Sequence, residues 1–546
     1  MKKELYLILT LLMTTLLLTA PPSFALEQLP SPGRDLRDTQ DLIERRRVQQ
    51  RIDEGRRSRG VDAPASADEK APGSALRFQL NEVTTDESSV LTPEALQSIT
   101  GPYIGSTVTV QDLYDIVSKI NAWYGAHGWF TCRAFLPAQT IRGGVVHITL
   151  IEGKTGSVSL NGARHTRKKY VRGRLRLKEG DVANLKELNS DVLRFNATND
   201  AQLRLRLQAG ETSGTTDYVL TLEEPKQITW GIFGDNAGSK NSGQYRGGFY
   251  VQNRSLFGSR DALYVQGVFS EGTTSGALNY TFPFNRHGMQ ATVGYSANAV
   301  RIVDGALEPL GVKGKAQEFD FSLTNPIITK ETLRTTAGLD YRYQHSKTSF
   351  ADVPWVNDTV QTLSAWYEHI NYGASSVVYW KQAYTTGWSD DIEKERDRFG
   401  YWSGSFLWQK SYRRGQSWTL RSALQLSSSN YLPSVEQFTI GGQHTVRGYK
   451  ERLLSGDSGI SGTLEYSLPM PNAPRSVNAY FFVDAGSVWG ASAFDDHILA
   501  GAGFGVKANV NGLVTLNACL AFPLIRTLNE ERQDDARFHF SLTSRL

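Results

Sequence analysis

The sequence predicts a membrane β-barrel of about 16 antiparallel strands at residues 226–546, preceded by two small α+β units and a charged N-terminal helix. Three observations carry this. The chain opens on a secretory leader. From about Pro225 onward helical periodicity disappears, and short alternating segments are separated by polar, Gly-rich or Asn/Asp-rich turns. The chain also holds 23 Tyr, 24 Phe and 11 Trp, enough to form girdles at both membrane interfaces, and it ends on an alternating strand, "FHFSLTSRL". A soluble β-sandwich alternates too, but it needs neither the girdles nor such a terminal strand.

Residues 1–25 are the leader: Lys2 and Lys3, an apolar run from Leu5 to Ala20, then Ser23-Phe24-Ala25 before the cut. The run is short for a membrane span and breaks at Pro21-Pro22. Beyond it no stretch approaches the roughly 20 apolar residues of a membrane helix. A net charge of +4 is too small to indicate nucleic acid as a partner. The two cysteines, Cys132 and Cys519, fall in different domains and are expected unpaired, each a small buried hydrophobe. Nine scattered histidines form no cluster with them, so no metal or cofactor is expected.

Residues 31–59 form the charged helix. "RDLRDTQDLIERRRVQQRIDEGRRSR" has only a thin apolar stripe of Leu36, Leu42, Ile43, Val48 and Ile52, which suits either a solvated arm or a helix housed in a wet cavity. Residues 60–75, rich in Ala, Pro, Gly and Ser, are a linker of considerable reach.

Residues 76–153 and 154–225 repeat one order of elements: strand, helix, helix, strand, strand. In the first unit these are "LRFQLNEV", "TPEALQSIT", "VQDLYDIVSKINAWYGAHG", "FTCRAFL" and "GVVHITLIEG". In the second they are "GSVSLNG", "RHTRKKYVRGRLR", "NLKELNSDVLRFNA", "AQLRLRLQAG" and "TTDYVLTLEE". Each unit should leave a sheet edge open to an added strand from another chain.

Within the barrel region, "LRSALQL" places Leu420, Ser422, Leu424 and Leu426 opposite Arg421, Ala423 and Gln425. "GTLEYSLP" places Leu464, Tyr466 and Leu468 opposite Thr463, Glu465 and Ser467. In "VNAYFFVDAGSVW" the same alternation sends Phe481, Val483 and Ala485 to lipid and Phe482, Asp484 and Gly486 to the lumen. A lumenal carboxylate is either an ordinary pore-lining acid or one half of an ion pair.

The "VRGY" of Val446 to Tyr449 and the "FVDAG" of Phe482 to Gly486 resemble the paired signature of the two-partner secretion transporters, the outer-membrane proteins that export large hemolysins and adhesins. The resemblance spans the mature chain. "LPSVEQFTIGGQHTVRGYKERLLSGDSG" is similar to the family's long sixth loop, and "GDNAGSKNSGQYRGG" with "NRSLFGSRDALYV" to its first barrel hairpin. The two repeated units resemble its POTRA domains, and the 31–59 helix its plug.

The resemblance implies that Arg447, at a loop tip folded into the lumen, pairs with Asp484. Val446 flanks it, Gly448 supplies backbone freedom, Tyr449 packs nearby, and Phe482 and Gly486 complete the wall. Forked pairing of an always-charged guanidinium with a carboxylate fits this role better than lysine would. Water in the lumen is expected to screen the pair, limiting its worth to about 1–3 kcal/mol.

The implied partners are a large secreted exoprotein of the hemolysin, adhesin or contact-dependent toxin type, bound at the POTRA domains, together with outer-membrane lipid and the barrel-assembly machinery during biogenesis. Family members usually end in an aromatic residue, whereas this chain ends in Leu546, so assembly would rest more on Phe538 and Phe540. A barrel-assembly insertase of the same superfamily is the alternative, though it usually carries more POTRA units. An outer-membrane hydrolase would need a clustered Ser-His pair, and none is visible. "GDSG" at 456–459 is expected to be a surface turn rather than a protease motif. "GKT" at 153–155 has Ile148 where a phosphate loop needs its leading glycine.

Overall fold

The computed structural model describes residues 31–56 and 76–546, apart from 306, 352, 391–395, 430, 472–473, 475 and 491–495. The leader at 1–25, the linker at 60–75 and the helix's expected last residues, 57–59, lie outside the described residues.

Sixteen strands close into an antiparallel barrel, each paired with its neighbours in sequence order. It opens at Ile228–Asp235 and closes at Arg537–Ser544. The closing pair is short: only Ser541, Leu542 and Thr543 register against Asp235, Gly234 and Phe233. Reciprocal backbone bonds between Trp230 and Leu546, at 2.8 and 3.3 Å, extend the seam to the last residue. Alternation behaves as the pattern requires. In the strand Val477–Trp489, Phe481 and Val483 are 56% and 54% exposed, whereas Phe482 and Asp484 are 3% and 0%. Cys519 and Cys132 are both buried free thiols.

The two units before the barrel repeat one another more deeply than their element order shows. Each has a three-stranded sheet: Glu82–Thr85, Val145–Glu152 and Cys132–Phe135 in the first, Lys154–Asn161, Thr215–Glu223 and Gln202–Ala209 in the second. In each, an asparagine on the longer helix clamps the backbone of one edge strand. Asn121 bonds both the N–H and C=O of Ala134, and Asn196 does the same for Leu203. In each, a glutamate at the end of the last strand or one residue past it pins the loop that leads to the first helix: Glu152 takes bonds from Ser88 and Ser89, and Glu224 from Arg164, His165 and Thr166. Burial raises both carboxyls, but these hydrogen bonds outweigh it and leave both below the usual range.

Three local expectations are corrected. "LRFQLNEV" is two strands: Arg77–Gln79 pairs with Thr107–Thr109, and only Glu82–Thr85 joins the main sheet. Of "RHTRKKYVRGRLR" only Lys168–Arg172 is helical; no side chain caps its start and Gly173 ends it. "GDSG" is not a surface turn. Asp457 is 1% exposed and accepts the Leu432 N–H at 2.9 Å, because the loop carrying it folds into the barrel instead of standing in solvent.

The charged helix, α1 (Pro32–Gly55), crosses the lumen. Its thin apolar stripe is used: Leu36, Ile43 and Ile52 are fully buried. Its polar faces meet a polar wall. Pro32 and Gly33 carbonyls accept from Asn298 and Gln344, Arg46 lies over the Phe233 and Tyr250 rings, Arg51 bonds Glu368 at 2.7 Å, and Arg56 reaches Gln409. A helix polar nearly all round is stable here because the cavity around it is also polar.

Candidate functional site in the barrel lumen

The loop at 428–457 joins the strands Ser417–Ser427 and Ser458–Pro469. It turns inward, and its arms pair as Phe438–Ile440 with Leu454–Gly456. Ile440, Val446, Tyr449, Leu453 and Leu454 pack with Val488 and Leu499 of the wall, a small dry core that holds the tip.

At the tip the Arg447 guanidinium grips Asp484 in a fork, Nε to Oδ2 at 2.7 Å and Nη2 to Oδ1 at 2.8 Å, while the Arg447 backbone N–H adds a third bond at 3.0 Å. The guanidinium carbon lies 3.4 Å from the centre of the Phe482 ring, a cation–π contact. Glu465 stands 3.7 Å from the remaining nitrogen and is itself paired with Lys507.

The structure brings the other motif residues to the same place. Gly448 has φ +100°, a conformation that suits glycine, and a Cβ there would meet the Pro523 nitrogen at 2.9 Å. The Tyr449 hydroxyl sits 2.7 Å from the Ala500 carbonyl and accepts the Ile525 N–H. Gly486 faces Val446, whose Cγ2 would be 3.2 Å from an added Cβ.

The expected screening by water is corrected: Asp484 is 0% and Arg447 7% exposed. Phe482, the loop's apolar core and the neighbouring strand exclude solvent, so this is a buried ion pair. Removing one partner strands the other charge, at a cost of about 3–5 kcal/mol.

Two further ties are not legible in the sequence. Glu436, buried in the loop, accepts from Arg37 of α1 at 2.6 Å, from the Tyr401 hydroxyl at 2.6 Å, and from Arg342 of the wall. Arg452 bonds Asp35 of α1 at 2.5 Å and lies 3.3 Å from Asp38. Loop, helix and wall are thus joined by charge pairs, but a single charge in a mixed-charge segment leaves no periodic or spaced signal. Among the described residues no group of three or more His, Cys, Asp or Glu is placed to hold a metal.

Gly501 carries no sequence signal either. It lies opposite Asp484 on the adjacent strand, and a Cβ there would stand 2.1 Å from the Arg447 carbonyl oxygen. Gly501→Ala must push the loop tip away, so we expect the variant to reach the membrane in normal amount yet lose secretion about as severely as an Arg447 variant. Normal secretion by Gly501→Ala, measured beside membrane levels, would show that the tip tolerates displacement.

Residues 214–508, more than half of the chain, match the model of the family described as haemolysin secretion/activation protein ShlB/FhaC/HecB. Residues 78–153 match the POTRA domain of ShlB type. Among curated relatives, the outer membrane transporter CdiB of Escherichia coli O6:K15:H31 (strain 536 / UPEC) is 24% identical over 92% of this chain and 90% of its own. The heme/hemopexin transporter protein HuxB of Haemophilus influenzae (strain ATCC 51907 / DSM 11121 / KW20 / Rd) is 22% identical over 83% of this chain and 85% of its own.

Among solved structures, CdiB from Escherichia coli shares the fold with a TM-score of 0.72 at 20% identity, covering 95% of this chain and all of that one (100%). BamA from Haemophilus ducreyi lacking POTRA domains 1-3 gives 0.51 at 14% identity, covering 86% of this chain and 100% of its own. The chain belongs to the haemolysin secretion/activation family and is an outer-membrane transporter of two-partner secretion, its POTRA region in the periplasm.

Proposed function

We propose that residues 76–153 and 154–225 act as two POTRA domains that capture an unfolded exoprotein, and that residues 226–546 form the pore through which it leaves. The cargo class is a large hemolysin, adhesin or contact-dependent toxin; the family description, haemolysin secretion/activation, supports the first of these. Capture is by strand addition. The eight-residue strand Gln202–Ala209 is an edge of its sheet, and beyond the Asn196 clamp at Leu203 it offers main-chain donors and acceptors with little demand on cargo sequence. The Arg447–Asp484 pair holds the long loop in its transport-competent position, while Val446, Gly448, Tyr449, Phe482 and Gly486 shape its seat. Folding of the cargo outside supplies the driving force.

The observation that carries this reading is a closed 16-stranded barrel whose lumen holds a helix by polar contacts. A barrel of this size without a plug encloses an aqueous channel, and polar contacts can be exchanged for water. The helix must leave for cargo to pass.

The Thr39 and Ser275 hydroxyl oxygens, on α1 and on the wall, are 3.2 Å apart. Thr39→Cys with Ser275→Cys, in a chain with Cys132 and Cys519 replaced by serine, should form a disulfide. It should stop secretion under oxidising conditions, and reductant should restore it. Undiminished secretion by the tethered protein would mean that cargo does not use the lumen that α1 occupies.

A further inference from the structure

The segment after the first strand of the second periplasmic unit, together with the start of its first helix, carries Arg164, Arg167, Lys168 and Lys169, all exposed. The carboxylates around them are already engaged. Asp191 and Glu187 pair with Arg176, Asp200 with Arg254 and Arg260, and Glu224 takes the backbone N–H groups of Arg164 and His165. Two basic side chains on a loop held rigid by Glu224 and two on the helical turn that follows it therefore sit together.

The place of this loop in the fold decides what it meets. It is fastened to the barrel's periplasmic turns: the Arg167 N–H bonds the Gly258 carbonyl at 2.9 Å, Ser255 Oγ bonds the His165 carbonyl at 2.8 Å, and Arg174 reaches the Asn285 carbonyl at 3.1 Å. The residue before Gly258 is Phe257, 59% exposed, with its ring edge-on to Tyr280 at 6.2 Å. Tyr280 stacks on Phe282 at 5.6 Å, and Phe284 beyond it is 61% exposed. Aromatics gathered at the end of barrel strands mark the boundary between hydrocarbon and headgroups. This belt adjoins the contact that fixes Arg167, since Phe257 directly precedes Gly258, and Arg286 on the same rim is also exposed.

We propose that Arg164, Arg167, Lys168 and Lys169 bind the phosphates of anionic phospholipid headgroups in the periplasmic leaflet of the outer membrane. The unit is thereby clamped to the membrane beside the pore mouth, and its capturing edge is held at a fixed distance from the lumen. Each such charge near an anionic surface strengthens binding about fivefold at physiological salt, and the effect fades as salt rises.

The test uses the full-length protein in nanodiscs, in phosphatidylcholine alone and in a bilayer with about a third phosphatidylglycerol. Amide hydrogen exchange across residues 160–175 should slow about fivefold in the anionic bilayer and recover in high salt. The variant with Arg164→Gln, Arg167→Gln, Lys168→Gln and Lys169→Gln should show no difference between bilayers. Equal exchange of the wild-type chain in both bilayers overturns the proposal, even if the variant fails to insert. Slowing that requires added cargo and is the same in both bilayers also overturns it, and assigns the patch to cargo.

Discussion

Arg447→Ala and Asp484→Ala should each cut cargo secretion by about tenfold or more while leaving a heat-modifiable barrel at normal level in the outer membrane. The pair is buried, so each single change leaves the other charge in a dry site without its forked partner, at a cost of about 3–5 kcal/mol. That is enough to move a loop strongly populated inside the lumen to one largely displaced. The barrel survives because its strands close through their own backbone ladders without the loop. The double variant should be no worse than either single one, since both changes remove the same interaction and the double leaves no lone charge behind. Additive losses, or normal secretion by either single variant, would mean that the pair does not set the loop's working position.

Deleting residues 32–56 should raise single-channel conductance in planar bilayers several-fold without preventing assembly. The helix meets the wall and the inward-folded loop through charge pairs and hydrogen bonds, among them Arg51–Glu368 to the wall and Arg37–Glu436 and Asp35–Arg452 to the loop. Water entering the emptied lumen can solvate the groups left behind, so their loss costs far less than emptying an apolar core. Unchanged conductance would show that α1 does not limit the open pore.

The barrel and the tip contact are legible in the sequence for physical reasons. Lipid outside and water inside force a two-residue alternation, and that alternation alone sends Phe481 outward and Asp484 inward. The tight fit around Arg447 demands a particular short motif on each partner. Dryness is not legible, because burial of Asp484 depends on Phe482, Gly501 and the loop's own apolar residues meeting from separate strands. "GDSG" misleads for the same reason: composition reads a solvent-facing turn, whereas Gly456 ends a short lumenal strand and Ser458 opens a barrel strand, a placement that only the tertiary fold decides. The charged α1 illustrates the limit from the other side. Its pattern is equally that of a free arm, and only Glu436, Glu368, Asn298 and Gln344 around it decide where it sits.

The claim that cargo passes through this lumen is tested most directly by a photo-crosslinking amino acid placed on the two faces of the wall, with cargo stalled in transit by a stably folded C-terminal fusion. Gln344 and Thr385 face inward and are 2% and 4% exposed, whereas Leu339 and Phe481 face lipid at 52% and 56%. Crosslinks to the stalled cargo from positions 344 and 385, and none from 339 and 481, are the predicted result. Crosslinks from 339 or 481 with none from the inward pair would contradict it.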